Sequence, residues 1–245
     1  TRQYGELTGL ALTLLTLPSF ITYSLSTALV PAISEGMEQN KRKTVEYRLK
    51  QAMRLCLLSG GISCIILFVY AEDLTLFMYG SSHAAIYVKF MAPFFLLYYF
   101  QGPLQAVLQA LNLAGAAMTN SLIGAIVKTG MIFVLASQPG FGIMGAALAI
   151  LIGIILVTLL HAATVGKVLP IHLPLKEYGL CVLVIIGTGA VSLWLKSQVD
   201  GLFSAPIELV TLIFVTCTLY VILLICLGLV KREELRRIPF IGKLF

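Results

Sequence analysis

Charged residues are scarce in this sequence, and acidic residues are the scarcer of the two signs. Only 11% of the 245 residues are charged, while 59% belong to the apolar set and the mean hydropathy is +0.97. An ordinary soluble domain carries roughly 25% charged residues. A soluble fold with this composition would leave extensive apolar surface in water. The shortage of charge therefore excludes an ordinary soluble domain and predicts a polytopic membrane protein.

Cysteine and histidine are too few and too scattered for a disulfide framework or a metal site. The five cysteines lie in apolar runs without CxxC spacing, and the three histidines lie at the ends of apolar runs. The sequence also lacks a P-loop, an HExxH motif and a nucleophile elbow. We therefore expect no cofactor, no metal, no catalytic residue and no nucleic-acid partner, so the protein is not expected to be an enzyme.

Seven apolar runs are long enough to cross ~30 Å of hydrocarbon, which takes about 20 helical residues. Helices are expected because lipid offers no partners to backbone groups and these runs lack strand alternation. The predicted fold is an all-α integral membrane protein with a bundle of seven transmembrane helices. The predicted spans are Leu7–Ile33, Met53–Ala71, Ala84–Leu111, Met118–Ser137, Ile143–Val165, Leu175–Leu195 and Pro206–Val230.

The positive charges predict the orientation of these spans. Of the 17 lysines and arginines, thirteen fall in the loops of one side, three fall on the other side, and Lys128 lies within a span. Because cytoplasmic loops are rich in Lys and Arg, the N-terminus is expected outside and the C-terminus in the cytoplasm of the cell membrane. Two basic segments, Thr44–Arg54 and the tail 231–245, are expected to lie on the membrane surface.

Lys128 is the most unusual polar residue, because it falls about halfway along the fourth span. An ammonium group at that depth costs roughly 3 kcal/mol, so it needs a partner or a water-filled cavity. At 100° per residue, Asn120, Gly124 and Lys128 lie within an arc of about 80° on one helix face. Snorkelling or pairing with a carbonyl is the plainer alternative, and contact with an anionic substrate is the functional one.

Two further groups of polar residues are candidates for substrate contact. Four amides in the third span share an arc of about 80°, which suits sugar hydroxyls or water, although interhelical hydrogen bonds explain them nearly as well. Hydroxyl residues share a face of the first span, but hydroxyls also bond to carbonyls of their own helix. Four prolines are expected to bend these two spans. The amides are Gln101, Gln105, Gln109 and Asn112, the first-span face carries Thr13, Thr16, Phe20, Tyr23 and Thr27, and the prolines are Pro18, Pro31, Pro93 and Pro103.

Small residues recur on the fifth span at intervals of four. Gly145, Ala149 and Gly153 form a ridge on one face, and such ridges allow two helix backbones to approach closely. We expect close helix packing there rather than a binding site.

No aspartate or glutamate lies in the core of a predicted span, since all 11 acids fall in loops or at span ends. Transporters coupled to protons or sodium generally bind the ion at a carboxylate within the membrane. A cation at bilayer depth beside rows of amides points instead to an anionic, hydroxyl-rich substrate.

Three short segments carry a resemblance to a known family. They are Leu29–Glu35 at the end of the first span, Gln101–Leu111 followed by a span that contains Lys128, and Phe141–Ala147 at the start of the fifth span. Together they resemble the polysaccharide transporter family of the multidrug/oligosaccharidyl-lipid/polysaccharide flippase superfamily, and within it the members that act in spore formation.

The resemblance implies the C-terminal half of a fourteen-helix transporter with two lobes. Residues 1–166 would form a partial C-terminal lobe of five helices, 167–230 two accessory helices, and 231–245 a basic cytoplasmic tail. Because the chain begins with Thr1 rather than Met, we expect a fragment or a processed piece. The resemblance implies that the missing N-terminal lobe of the same transporter is its partner. The implied activity is alternating-access flipping of a lipid-linked oligosaccharide for spore cortex peptidoglycan, with an undecaprenyl-pyrophosphate-linked substrate in a membrane of lipids.

Two other functions are alternatives, although each explains fewer of the polar residues described above. The chain could be half of a multidrug/cation antiporter, which requires an acidic residue in the other lobe, or a non-transporting membrane scaffold whose polar groups only join helices. In the flippase hypothesis Lys128 holds a phosphate or sugar-acid group. The remaining predicted substrate contacts are Gln101, Gln105, Gln109, Asn112, Asn120, Thr13, Thr16 and Tyr23.

Overall fold

The structure, a computed structural model, describes residues 2–169, 174–199 and 204–230, and it is helical without any strand in those ranges. The predicted all-α class is therefore confirmed. Nine helical segments follow one another along the described chain. They are α1 (Arg2–Thr16), α2 (Ser19–Glu38), α3 (Arg42–Val69), α4 (Ala71–Tyr79), α5 (Ala85–Ala110), α6 (Ala114–Ala136), α7 (Gly142–Val168), α8 (Leu175–Val199) and α9 (Ala205–Cys226).

The first predicted span consists of two helices rather than one. α1 is π-helical over Glu6–Ala11, and α2 leaves it at an angle of 52°. Pro18 lies in the break, as predicted, because proline lacks the N–H that would continue the helix. The Tyr99 hydroxyl on α5 donates to the Leu15 carbonyl near this break at 2.8 Å. The other prolines lie inside helices, Pro31 in α2 and Pro93 and Pro103 in α5.

The prediction that Thr44–Arg54 forms a separate surface helix is wrong, because this segment is the first part of α3. Its apolar residues Val45 and Leu49 are buried within the bundle. A Cβ placed on Gly36 of α2 would lie 2.7 Å from Val45 Cγ2, so the two helices touch there. The segment is amphipathic, and its apolar face packs on protein instead of lipid.

A short helix between the second and third spans was not predicted. It is α4, which spans the nine residues Ala71–Tyr79. Glu72 and Asp73 lie in its first turn, where negative charge stabilises the helix dipole. The helix ends at Gly80, whose φ of 65° is left-handed and favours glycine.

Five described helices are long and apolar enough to cross a membrane, namely α3, α6, α7, α8 and α9, and the bent pair α1–α2 makes a sixth if it counts as one span. The third predicted span, α5, is not among them. Its three glutamines and Lys89 lower its hydropathy. The number of seven spans stays a prediction.

The described helices fall into two compact units, α1–α7 and α8–α9. In the first unit α5 is the central helix and packs against α2, α3 and α7. In the second unit α8 packs on α9, and the Ser192 and Thr216 hydroxyls share a buried hydrogen bond of 2.9 Å. The division at 166/167 and 230/231 stays a prediction, and the tail 231–245 lies outside the described residues.

Helices α6 and α7 pack closely in antiparallel directions. The closeness predicted for the ridge of Gly145, Ala149 and Gly153 is confirmed, since Ala149 is fully buried and a Cβ on Gly145 would meet backbone atoms of α6. Successive contacts run up α6 and down α7. From one end to the other they join Asn120 to Thr164, Gly124 to Val157, Lys128 to Gly153, and Leu135 to Gly145.

Candidate functional site

A cavity of about 260 Å³ lies within the first unit. Four helices contribute to it: α1, α5, α6 and α7. Most of the lining is apolar, with a few polar side chains among it, which is the usual composition of a small-molecule site. The lining residues are Leu12, Thr16, Phe95, Tyr98, Gln101, Ser121, Gly124, Ala125, Lys128, Ile150, Gly153, Ile154 and Val157.

Lys128 lines this cavity from the middle of α6 and is partly buried. Its stem passes over Gly153 of α7, where a Cβ would lie 3.0, 3.3 and 3.4 Å from Lys128 Cβ, Cγ and Cδ. No residue of the described ranges forms an ion pair or hydrogen bond with its ammonium group. The alternative of a carbonyl partner is therefore not seen, and a cation without a counter-ion is left beside an open cavity.

Gln101 also lines the cavity, and it additionally joins two helices. Its Nε2 donates to the Ile154 carbonyl at 3.0 Å and to Thr158 Oγ1 at 3.0 Å, so both amide hydrogens are used between α5 and α7. Both predicted explanations, cavity lining and interhelical bonding, therefore apply to this residue. The amide oxygen has no hydrogen bond to any described residue.

The other three amides of the predicted row do not line the cavity. Gln105 and Gln109 are exposed and lie about 6 and 12 Å further along the helix than Gln101. Asn112 lies beyond the helix end, so its predicted place on the helix face is wrong. With φ of 59° it occupies the left-handed position that asparagine tolerates, and its N–H donates to the Gln109 carbonyl at 3.0 Å.

Asn120 belongs to a buried polar cluster rather than to the cavity. Its Nδ2 lies 3.2 Å from His161 Nδ1 and donates to Thr164 Oγ1 at 3.0 Å. These bonds hold α6 to α7, about two turns from Lys128. His161 and Thr164 were not recognised as partners of Asn120 from the sequence, although their spacing of three residues places them on one face of α7.

The first-span residues separate at the helix break. Thr16 lines the cavity, whereas Thr13 and Tyr23 are exposed. Both threonine hydroxyls donate to carbonyls of their own helix, Thr13 to Gly9 and Thr16 to Leu12, each at 2.8 Å. The predicted common face assumed a continuous helix, and the 52° bend ends it at Pro18.

The aliphatic lining residues were missed from the sequence, and so were three that are aromatic or carry a hydroxyl, namely Phe95, Tyr98 and Ser121. The rings of Phe95 and Tyr98 contact each other with centroids 5.3 Å apart. Aromatic and serine residues are ordinary within apolar spans, so no sequence signal singled them out. The described part of the chain contains no group of three acidic, histidine or cysteine residues that could hold a metal ion.

These helices define a multi-pass membrane protein with a flippase-like fold. The structure is similar to that of the lipid II flippase MurJ in an inward closed conformation, with a TM-score of 0.67 and 17% identity over 89% of this chain and 47% of that chain. The MatE family model matches residues 7–134, more than half of the sequence. The chain belongs to the MatE family.

Two curated relatives come from Bacillus subtilis (strain 168). Stage V sporulation protein B is 68% identical over 244 residues, which cover 100% of this chain and 47% of the relative. Sporulation protein YkvU is 34% identical over 169 residues, which cover 69% of this chain and 38% of the relative. The resemblance drawn from the sequence motifs is confirmed. The chain spans less than half of the length of each of these proteins.

Proposed function

We propose that this chain forms the C-terminal half of a flippase that moves a lipid-linked oligosaccharide across the cell membrane during sporulation. The observation that carries the proposal is Lys128, a cation with no counter-ion among the described residues, in a cavity of a flippase-like fold. A saccharide linked through pyrophosphate supplies the missing negative charge and a set of hydroxyls. The name of the relative with 68% identity supports a role in sporulation, and spore cortex peptidoglycan is the proposed product.

The proposed mechanism involves no change in covalent bonds, so the protein acts as a transporter and not as an enzyme. Two lobes rock around a central site and expose it to each side of the membrane in turn. Lys128 holds the anionic group during passage, because an unscreened charge in hydrocarbon is costly. Gln101 and Thr16 are the other predicted contacts that line the cavity. The remaining contacts, such as Gln105 and Gln109, stay predictions.

A second half is required for this mechanism. The chain corresponds to 47% of the relative with which it shares 68% identity, and the cavity formed by α1, α5, α6 and α7 is open. We infer that an N-terminal lobe of the same transporter supplies the opposite wall of the substrate path.

Replacement of Lys128 with methionine in the complete protein tests the function. Methionine keeps a stem of similar length and removes the charge. Loss of a charged hydrogen bond is expected to weaken substrate binding about 10- to 100-fold, which should appear as reduced cortex synthesis at normal protein level. Lys89→Met is the matched control, because Lys89 is exposed and lies 6.0 Å from the Phe68 ring centroid, outside the cavity. Normal cortex synthesis with Lys128→Met would contradict the proposal.

The orientation has a separate test. A cysteine introduced at Ser82, between α4 and α5, is expected to react with a membrane-impermeant thiol reagent added outside intact cells. A cysteine at Asn40, between α2 and α3, is expected to react only after the cells are opened. Both positions are exposed, and the reverse pattern of labelling would place the N-terminus in the cytoplasm.

A further inference from the structure

Most serine and threonine hydroxyls in α1–α7 donate a hydrogen bond to a backbone carbonyl three or four residues earlier in the chain. Thr119 Oγ1, for example, donates to the Gly115 carbonyl at 2.9 Å, and Ser59 Oγ donates to the Leu55 carbonyl at 2.8 Å. A hydroxyl in an apolar helix takes this bond when no other partner is present. A hydroxyl that lacks it is available to a ligand.

Two hydroxyl residues of the cavity, an exposed serine and a half-buried tyrosine, lack a hydrogen bond of any kind within the described residues. Ser121 on α6 and Tyr98 on α5 both line the cavity, and neither hydroxyl has a hydrogen bond to a residue that the structure describes. The neighbouring Tyr99 shows the usual arrangement, since its hydroxyl is bonded to the Leu15 carbonyl. The amide oxygen of Gln101 adds an acceptor without a partner to the same cavity.

We propose that Ser121, Tyr98 and the Gln101 amide oxygen form a subsite for the hydroxyls of one sugar ring, next to the anionic group at Lys128. This inference rests on the proposed function. Sugar hydroxyls both donate and accept, so they match two free hydroxyls and a free carbonyl, whereas a phosphate offers acceptors alone. The rings of Phe95 and Tyr98 give the cavity an aromatic wall against which the C–H face of a sugar can pack.

The size of the cavity limits what this subsite can hold. Its volume of about 260 Å³ is just below the roughly 300–1,000 Å³ of pockets for drug-sized ligands. That volume suits a single sugar ring and not a longer oligosaccharide. The sugar nearest the pyrophosphate is therefore the one that the subsite contacts, because it is the sugar adjacent to the charge at Lys128.

Binding of two lipid probes to the complete protein in nanodiscs tests this inference. One probe is a polyprenyl phosphate, which has the anion and no sugar, and the other is a disaccharide linked to a polyprenyl pyrophosphate. Ser121→Ala and Tyr98→Phe are each expected to weaken binding of the disaccharide lipid about 2- to 10-fold and to leave the phosphate lipid unchanged. Thr119→Ala, two residues from Ser121 on the same helix, is the matched control and should change neither affinity.

The outcomes separate the subsite from the proposed function. If Lys128→Met weakens both lipids but Ser121→Ala and Tyr98→Phe weaken neither, the subsite is overturned and the function stands. Equal weakening of both lipids by Ser121→Ala and Tyr98→Phe also overturns the subsite, because the phosphate lipid has no sugar to lose. If the unaltered protein binds neither lipid, the proposed function fails and the subsite fails with it.

Discussion

Gly153→Ala is expected to destabilise the contact between α6 and α7 that places Lys128. The new Cβ would lie 3.0 Å from Lys128 Cβ and 3.3 Å from its Cγ, whereas ordinary contacts of this kind begin at 3.4 Å. Lys128 Cβ is fixed to its backbone, so the helices themselves must separate by a few tenths of an ångström. Overpacking of this kind costs about 1–3 kcal/mol, and the better helix propensity of alanine returns about 0.5–1 kcal/mol. The net destabilisation is about 0–2.5 kcal/mol.

Thermal unfolding of the purified complete protein in detergent measures this effect. Gly130→Ala is the matched control, because Gly130 lies in α6 and the space that a Cβ would occupy there is open to a distance of 4 Å. That variant gains the same helix propensity without a clash and should be more stable by about 0.5–1 kcal/mol. The difference between the two variants isolates the contact with Lys128. If Gly153→Ala is as stable as Gly130→Ala, the account of the α6–α7 contact is refuted.

Three further substitutions test other parts of the first unit by the same unfolding measurement. Asn112→Ala should destabilise by about 1 kcal/mol because alanine disfavours the left-handed conformation, whereas Asn112→Gly should be neutral. Tyr99→Phe should cost about 1–3 kcal/mol, since it leaves the Leu15 carbonyl without its side-chain donor. Asn120→Leu should cost about 1–3 kcal/mol, because it removes both hydrogen bonds that tie α6 to His161 and Thr164.

Each of these expectations has a result that contradicts it. Equal stability of the alanine and glycine variants at Asn112 would show that the backbone there is not strained. An unchanged Tyr99→Phe variant would mean that water or another donor replaces the hydroxyl. A stabilised Asn120→Leu variant would show that apolar packing between α6 and α7 outweighs the polar cluster.

The sequence predicted the helical class and the position of Lys128 in the middle of a helix because both depend on local composition. A lysine in the middle of an apolar run needs a polar partner or a cavity, because its ammonium group is costly to place in hydrocarbon. Lys128 lines the cavity. Pro18 likewise predicted a break, since the missing N–H is a property of the residue itself. The residue itself does not predict the size of that bend, which is 52°.

The wrong predictions concerned what packs against a helix face and where a helix ends. Val45 and Leu49 form an amphipathic face whether the neighbour is lipid or protein, so periodicity could not show that the face is buried in the bundle. Asn112 continued the angular pattern of the glutamines, but its left-handed backbone ends the pattern. Ser121 and Tyr98 were identified as candidate ligand contacts only from the structure, because their hydroxyls lack hydrogen bonds there. No sequence pattern indicates a missing hydrogen bond.

The contact between α6 and α7 also restricts how these two helices can shift along each other. Lys128 passes over Gly153, and Val157 passes over Gly124, so each glycine accepts the large side chain of the other helix. Sliding by one turn, about 5.4 Å, would bring both large side chains against positions that already carry side chains. The two glycine contacts therefore oppose sliding of α6 along α7 and keep Lys128 at the same place in the cavity wall.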